Sequence, residues 1–196
     1  GKRWTEEHAE FMSLVGKDVK LSSDRRSALK MKKNWNTGSA VCGPSVNSGI
    51  VRWKWAIQKG NKITLGIVLS TFDPHKDGYI NKTDAGWAYY QENGKSGHNG
   101  PARASYGRDW KDPSCVIDVV LDYDRGTLSF FRNGVSQGVA FADLPKNKTF
   151  LGGVSLYSAG DSVKLLSFER LLPRRTPCPM KMIGRWKGRQ EKQGES

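Results

Sequence analysis

Asp118, Asp122 and Asp124 come nearest, by type and spacing, to residues that could do chemistry, because a pair of carboxylates flanking a sugar bond can hydrolyse it. Their neighbours argue for a structural role. Asp118 and Asp122 alternate with Ile117, Val119 and Leu121, the pattern of a strand with one buried face. Both are therefore expected on the outward face, with Asp124 in the turn that follows. The same acids lack the D-x-D-x-D-G order and later glutamate of a calcium loop. His8, His75 and His98 fall in no H-x-x-x-H spacing, and neither a G-x-S-x-G nucleophile elbow nor a G-x-x-x-x-G-K-S/T phosphate loop occurs. The expectation is a non-enzymatic chain with no metal and no cofactor.

A second kind of chemistry is suggested by charge. The 196 residues carry 32 Lys and Arg against 19 Asp and Glu, a net charge of +13. Between Lys20 and Lys33 six basic residues face Asp24 alone, and from Pro173 to Ser196 seven face only Glu191 and Glu195. Most of the excess lies in these two segments. Trp35 sits beside Lys32 and Lys33, and an aromatic among cations can stack on a base while its neighbours hold phosphate. Candidate nucleic-acid contacts are Arg25, Arg26, Lys30, Lys32, Lys33 and Trp35 in the first segment, with Arg174, Arg175, Arg185, Lys187 and Arg189 in the second. RNA or a ribonucleoprotein is thus one candidate partner.

Strands are required to position any of these residues. From Val116 to Phe141 the sequence reads as three antiparallel strands, joined first at Asp124-Arg125-Gly126 and then at Asn133-Gly134, the dipeptide suited to a type I′ hairpin. Ile50 to Gln58 alternates Val51, Trp53, Trp55 and Ile57 with Arg52, Lys54 and Ala56, and Ile63 to Ser70 repeats the pattern. These place Trp53, Trp55, Trp87 and Phe130 in the core. Val19 to Met31 reads as two short strands, whereas 38–48 (around Gly43-Pro44), 71–84 and 93–103 read as loops by their breakers. Thr5 as a cap, followed by the stripe Trp4, His8, Phe11, Met12 and Val15, predicts a short N-terminal helix that lies over the sandwich as a lid across 1–14. No apolar run is long enough to span a membrane. Cys42, Cys115 and Cys178 cannot all pair and lack C-x-x-C spacing, which favours a reduced, intracellular chain, cytoplasmic or nuclear.

Taken together, Gly49-Ile50-Val51-Arg52-Trp53, Leu65-Gly66-Ile67, Gly86-Trp87, Tyr106-Gly107, the run from Asp122 through Asn133-Gly134 to Phe141, and Gly152-Gly153-Val154-Ser155-Leu156 resemble the SPRY domain. The resemblance implies an all-β fold, a bent antiparallel β-sandwich of concanavalin-like jelly-roll type over 15–172, leaving 173–196 as a basic, proline-containing extension. It also implies a monomeric, non-catalytic module that binds a peptide or loop of another protein through the loops at one end of the sandwich. Asp77-Gly78-Tyr79 is similar to a loop whose tyrosine contacts peptides in the SOCS-box branch of the family. Tyr157 and Ser158 stand where that branch has a valine-tryptophan pair, so a different ligand is expected. Either tyrosine could instead be half-buried core. Protein binding is the leading reading, RNA association the alternative, and a lectin-like glycan site the weaker third.

Overall fold

A computed structural model describes residues 1–173. The candidate contacts Arg174, Arg175, Arg185, Lys187 and Arg189, and the extension that carries them, lie outside the described residues. The strands are β1 (Lys2–Glu7), β2 (Phe11–Val15), β3 (Val19–Leu21), β4 (Ser27–Lys30), β5 (Ser39–Val46), β6 (Ile50–Lys59), β7 (Thr64–Leu69) and β8 (Gly86–Tyr90). There follow β9 (Ser96–His98), β10 (Arg103–Ala104), β11 (Val116–Asp122), β12 (Thr127–Arg132), β13 (Val135–Phe141), β14 (Phe150–Ser155) and β15 (Ser162–Pro173). One sheet runs β13-β12-β11-β6-β15-β4-β3, with β1 also on β15; the other runs β10-β9-β8-β7-β14-β5-β2. All pairings are antiparallel. The expected all-β sandwich is therefore present.

The inward faces meet as the alternation predicts. Val51, Trp53, Trp55 and Ile57 of β6 are buried, as are Ile117, Val119 and Leu121 of β11 and Leu128 and Phe130 of β12. Strand β7 departs from simple alternation: Val68 is buried as well as Leu65 and Ile67, because Phe72 and Ile80 from the following loop cover the other side of the sheet. That loop returns across the sheet from the β7 exit, and Ile80 is fixed there by its N–H donating to Ser155 Oγ at 2.9 Å.

No N-terminal helix forms. A Trp35–Thr37 3-10 turn is the only helical segment among the described residues. Residues 2–7 instead pair with the second half of β15, where β4 has already ended, and β2 pairs with β5, burying Phe11 against Trp55 at 5.4 Å between centroids. The apolar spacing that resembles a helical stripe is thus split between two strands serving different sheets. Most of the 38–48 segment is likewise strand, β5. Its Gly43-Pro44 pair falls in a register irregularity opposite Phe150–Gly152, where a missing amide is tolerated. Within 93–103, short strands β9 and β10 extend the same sheet.

Asp118 is also corrected: it is buried, 6% exposed. Its register neighbours Lys54 and Phe131 flank it on the same face of the sheet. Burial raises its pKa, Glu169 adds to the rise, and Lys54 and Arg52 oppose it. The folded state therefore holds this proton more tightly than the unfolded chain, so its contribution to stability is greatest in acid and declines as pH rises above the ordinary value of 3.8. Asp118→Asn cannot ionise, and its stability relative to the parent should increase between about pH 4 and about pH 7 in urea denaturation. A constant difference across that window would contradict the assignment.

The β12–β13 turn follows the sequence reading: Asn133 and Gly134 have φ of 48° and 80°. Asn133 also accepts the Val116 N–H through Oδ1 at 2.8 Å and donates its own N–H to Val116 O at 2.8 Å. Asn133→Ala should cost about 1–2 kcal/mol, combining positive φ with a lost hydrogen bond. Asn133→Gly should fall between the two in thermal melts, since it relieves only the first.

Candidate functional site

At the end of the sandwich where β4, β6 and β14 terminate, three connections converge. The 3-10 turn after β4 is capped by Asn34, whose Oδ1 accepts the Asn36 N–H at 2.7 Å. The Asn34 N–H donates to Tyr157 O at 3.1 Å, joining this turn to the β14–β15 loop. That loop is held from inside by Asp161, whose Oδ2 accepts from Tyr157 N at 3.1 Å and Ser158 N at 2.8 Å. Burial raises the Asp161 pKa, opposed by these two hydrogen bonds and by Lys30 and Lys59. Ser158 thus contributes through its backbone to loop shape.

The third connection carries Asp77-Gly78-Tyr79. Asp77 Oδ2 accepts the Asp73 N–H at 2.7 Å, giving this aspartate a turn-forming role. Gly78 has φ of +75°, and a Cβ there would stand 2.7 Å from Asn36 Oδ1 and 2.8 Å from Lys82 Cδ. Glycine is what lets the two connections close on each other. Lys82 Nζ then donates to Asn36 Oδ1 at 3.0 Å.

These ties assemble an aromatic surface. The Trp35 ring stacks on Tyr157 with centroids 4.4 Å apart and planes 20° from parallel, and meets Tyr79 edge-on at 6.4 Å. All three rings are half-buried. Lys33 and Lys62 place their ammonium groups over Tyr157 at 5.4 and 5.5 Å. Beside Tyr79 a cleft of about 110 Å³ opens between Trp35, Tyr90, Pro101 and Arg103, whose guanidinium lies 3.8 Å over the Tyr90 ring. Tyr90, Pro101, Lys62, Lys82 and Arg103 escape the sequence reading, because they arrive from four separate segments and no spacing links them.

The first basic segment does not form one patch. Arg26 is committed to β15, with Nε donating to Leu165 O at 3.2 Å and a terminal nitrogen to Leu166 O at 2.6 Å. Arg25 lies in the β3–β4 turn, at the opposite end of β4 from Trp35. Lys30 is buried, its ammonium donating to Thr37 Oγ1 at 2.6 Å, and burial lowers its pKa against the pull of Asp18 and Asp161. Lys32 and Lys33 remain exposed near Trp35.

Asp122, Asp124 and His98 have structural partners. Asp122 Oδ1 accepts the Arg125 N–H at 3.1 Å, and Asp124 Oδ1 accepts the Gly49 N–H at 3.4 Å. His98 stacks on Trp87 at 4.6 Å with Nδ1 2.8 Å from Gly86 O. Among the described residues no group of three His, Cys, Asp or Glu is arranged to hold a metal ion. Cys42 and Cys115 are buried free thiols, and burial pushes the Cys42 pKa up to about 12, against thiolate chemistry. No helix among the described residues is long and apolar enough to cross a membrane.

A family model described as the SPRY domain matches residues 50–169. No curated protein matches the chain. Among solved structures, the SPRY domain of human HERC1 superposes with a TM-score of 0.65 at 23% identity, over 79% of this chain and 96% of that one. The TRIM65 PSpry domain gives 0.62 at 17% identity, over 81% and 92% respectively. A further human SPRY domain gives 0.58 at 14% identity, over 76% and 94%. At these identities the superpositions speak for the fold alone.

Proposed function

This chain belongs to the SPRY domain family, and we propose that it holds a peptide or loop of a partner protein on the surface built by Trp35, Tyr79 and Tyr157. Domains of this family are generally non-catalytic modules of protein interaction. The observation that carries the finer reading is the stacked, half-buried Trp35–Tyr157 pair with Tyr79 at its edge. Rings in core positions are enclosed, as Trp53 and Tyr89 are here; these three are left partly uncovered on loops tied down by backbone hydrogen bonds. Rigid aromatic groups of this kind give large contact area at small entropic cost, the usual composition of binding hot spots.

Tyr79→Ala and Tyr157→Ala should each weaken a native partner by about 1–3 kcal/mol in calorimetric titration, with the fold largely retained. Normal folding together with unchanged affinity in both variants would move the recognition surface elsewhere. Unfolding of both would assign the rings to the core.

A further inference from the structure

We propose that the segment recognised at this surface is acidic: a stretch of Asp and Glu whose carboxylates meet Lys33, Lys62, Lys82 and Arg103 while one apolar side chain enters the cleft beside Tyr79. The inference rests on the peptide-binding reading above and adds the chemistry of the partner.

Four cations from four different segments ring one aromatic patch. Lys33 follows β4, Lys62 lies between β6 and β7, Lys82 is in the long loop between β7 and β8, and Arg103 is in β10. Their convergence is therefore a product of the fold and not of a basic run in the sequence. Among the described residues Lys33, Lys82 and Arg103 form no ion pair, while Lys62 reaches Glu92 only at 3.8 Å. Of the acids on these loops, exposed Asp84 lies two residues from Lys82 and forms no ion pair with it, and two others are engaged elsewhere. Asp77 shapes its own turn, and Asp161 is buried and turned toward the Tyr157 and Ser158 amides. Like charges gathered with one long contact to an acid among them repel one another, and a carboxylate-bearing ligand relieves that repulsion.

The aromatic geometry favours a peptide over nucleic acid. Base recognition of the single-stranded kind needs open ring faces. Tyr157 carries the Trp35 indole stacked at 4.4 Å and two ammonium groups over its ring, and the Tyr90 face is taken by Arg103 at 3.8 Å. The Tyr157 and Tyr90 rings are thus used to position cations. The cleft, at about 110 Å³, is well below the roughly 300–1,000 Å³ of small-molecule sites and matches a single side chain.

The test is selection from a displayed library of random 12-residue peptides on the full chain, repeated on Trp35→Ala, on the triple variant Lys33→Glu, Lys82→Glu, Arg103→Glu, and on Lys20→Glu, Lys146→Glu, Lys164→Glu as a charge-matched control. Circular dichroism of each variant establishes that it is folded. The expected result is a Trp35-dependent set of peptides enriched at least threefold in Asp and Glu. Their affinity should fall at least tenfold on the first triple variant and change little on the control. Trp35-dependent peptides without acidic enrichment would overturn this inference and leave the peptide-binding reading standing. Absence of any Trp35-dependent peptide would overturn both. Acidic peptides lost equally on the control would reduce the effect to net charge. Oligouridylate displacing the selected peptides with higher affinity than theirs, in a Trp35-dependent manner, would replace the acidic peptide with nucleic acid.

Discussion

Trp53→Ala should lose about 3–5 kcal/mol of stability, the range for truncating a large buried aromatic. Trp53 is fully enclosed in β6, between Val119 of β11 and Phe168 of β15, with its ring 5.2 Å from that of Phe168. Strand β6 is central, hydrogen-bonded on both edges, so its backbone cannot move to fill the void without breaking two ladders. The cavity therefore persists, and both the transfer and the cavity contributions apply in full. At about 2–4 °C per kcal/mol for a chain of this size, the melting temperature should drop by roughly 6–20 °C. A shift of only a degree or two would mean that Trp53 is not a core residue. The variant is also the reference for the tyrosine substitutions, since it defines what loss of a core ring looks like.

The strands that could be read from sequence are those whose two faces differ. In β6 buried and partly exposed residues alternate cleanly, in β11 they do so except at Asp118, and the β12–β13 turn is specified by the φ requirement of Asn133-Gly134. The misread segments share a different cause. Residues 2–7 form a strand because β15 has an edge left open beyond β4, residues 11–15 because β5 offers them an edge, and residues 39–46 because β14 and β2 flank them. A vacancy in a distant sheet leaves no mark on local periodicity, so a spacing of four and seven residues could equally suggest a helix. Asp118 shows the same limit. Its position opposite the core is legible, but its burial is a property of the assembled sheet, in which β6 and β12 flank it.

For the site, family resemblance pointed to Tyr79 and Tyr157, and composition pointed separately to Trp35 among its lysines. The fold unites them, because the Asn34 amide reaches Tyr157 O and Asn36 touches the Gly78 turn. Composition overstated the basic segment: Arg26 and Lys30 are consumed in holding β15 and Thr37. Total charge was informative about excess and silent about which cations are free. Lys62, Lys82 and Arg103 could be found only through contacts across the sheet.

Trp35→Ala should be the most damaging single change to binding, costing about 2–4 kcal/mol of partner affinity while leaving the melting temperature within a few degrees of the parent. Trp35 is the centre of the surface: it stacks on Tyr157, meets Tyr79 and walls the cleft, so its removal takes away one contact and loosens two others. The fold should be little affected, because the 3-10 turn is fixed by the Asn34 side chain and by backbone bonds that an alanine keeps. The ring is also only half-buried, so less apolar area is lost on truncation than at Trp53. Loss of Trp35 should exceed loss of either tyrosine, and Trp35→Ala combined with Tyr157→Ala should cost less than the sum of the two, since each ring supports the other. Additive effects would show that the two rings act independently. An equal loss of stability in Trp35→Ala and Trp53→Ala would place Trp35 among the core residues and remove the centre of the proposed site.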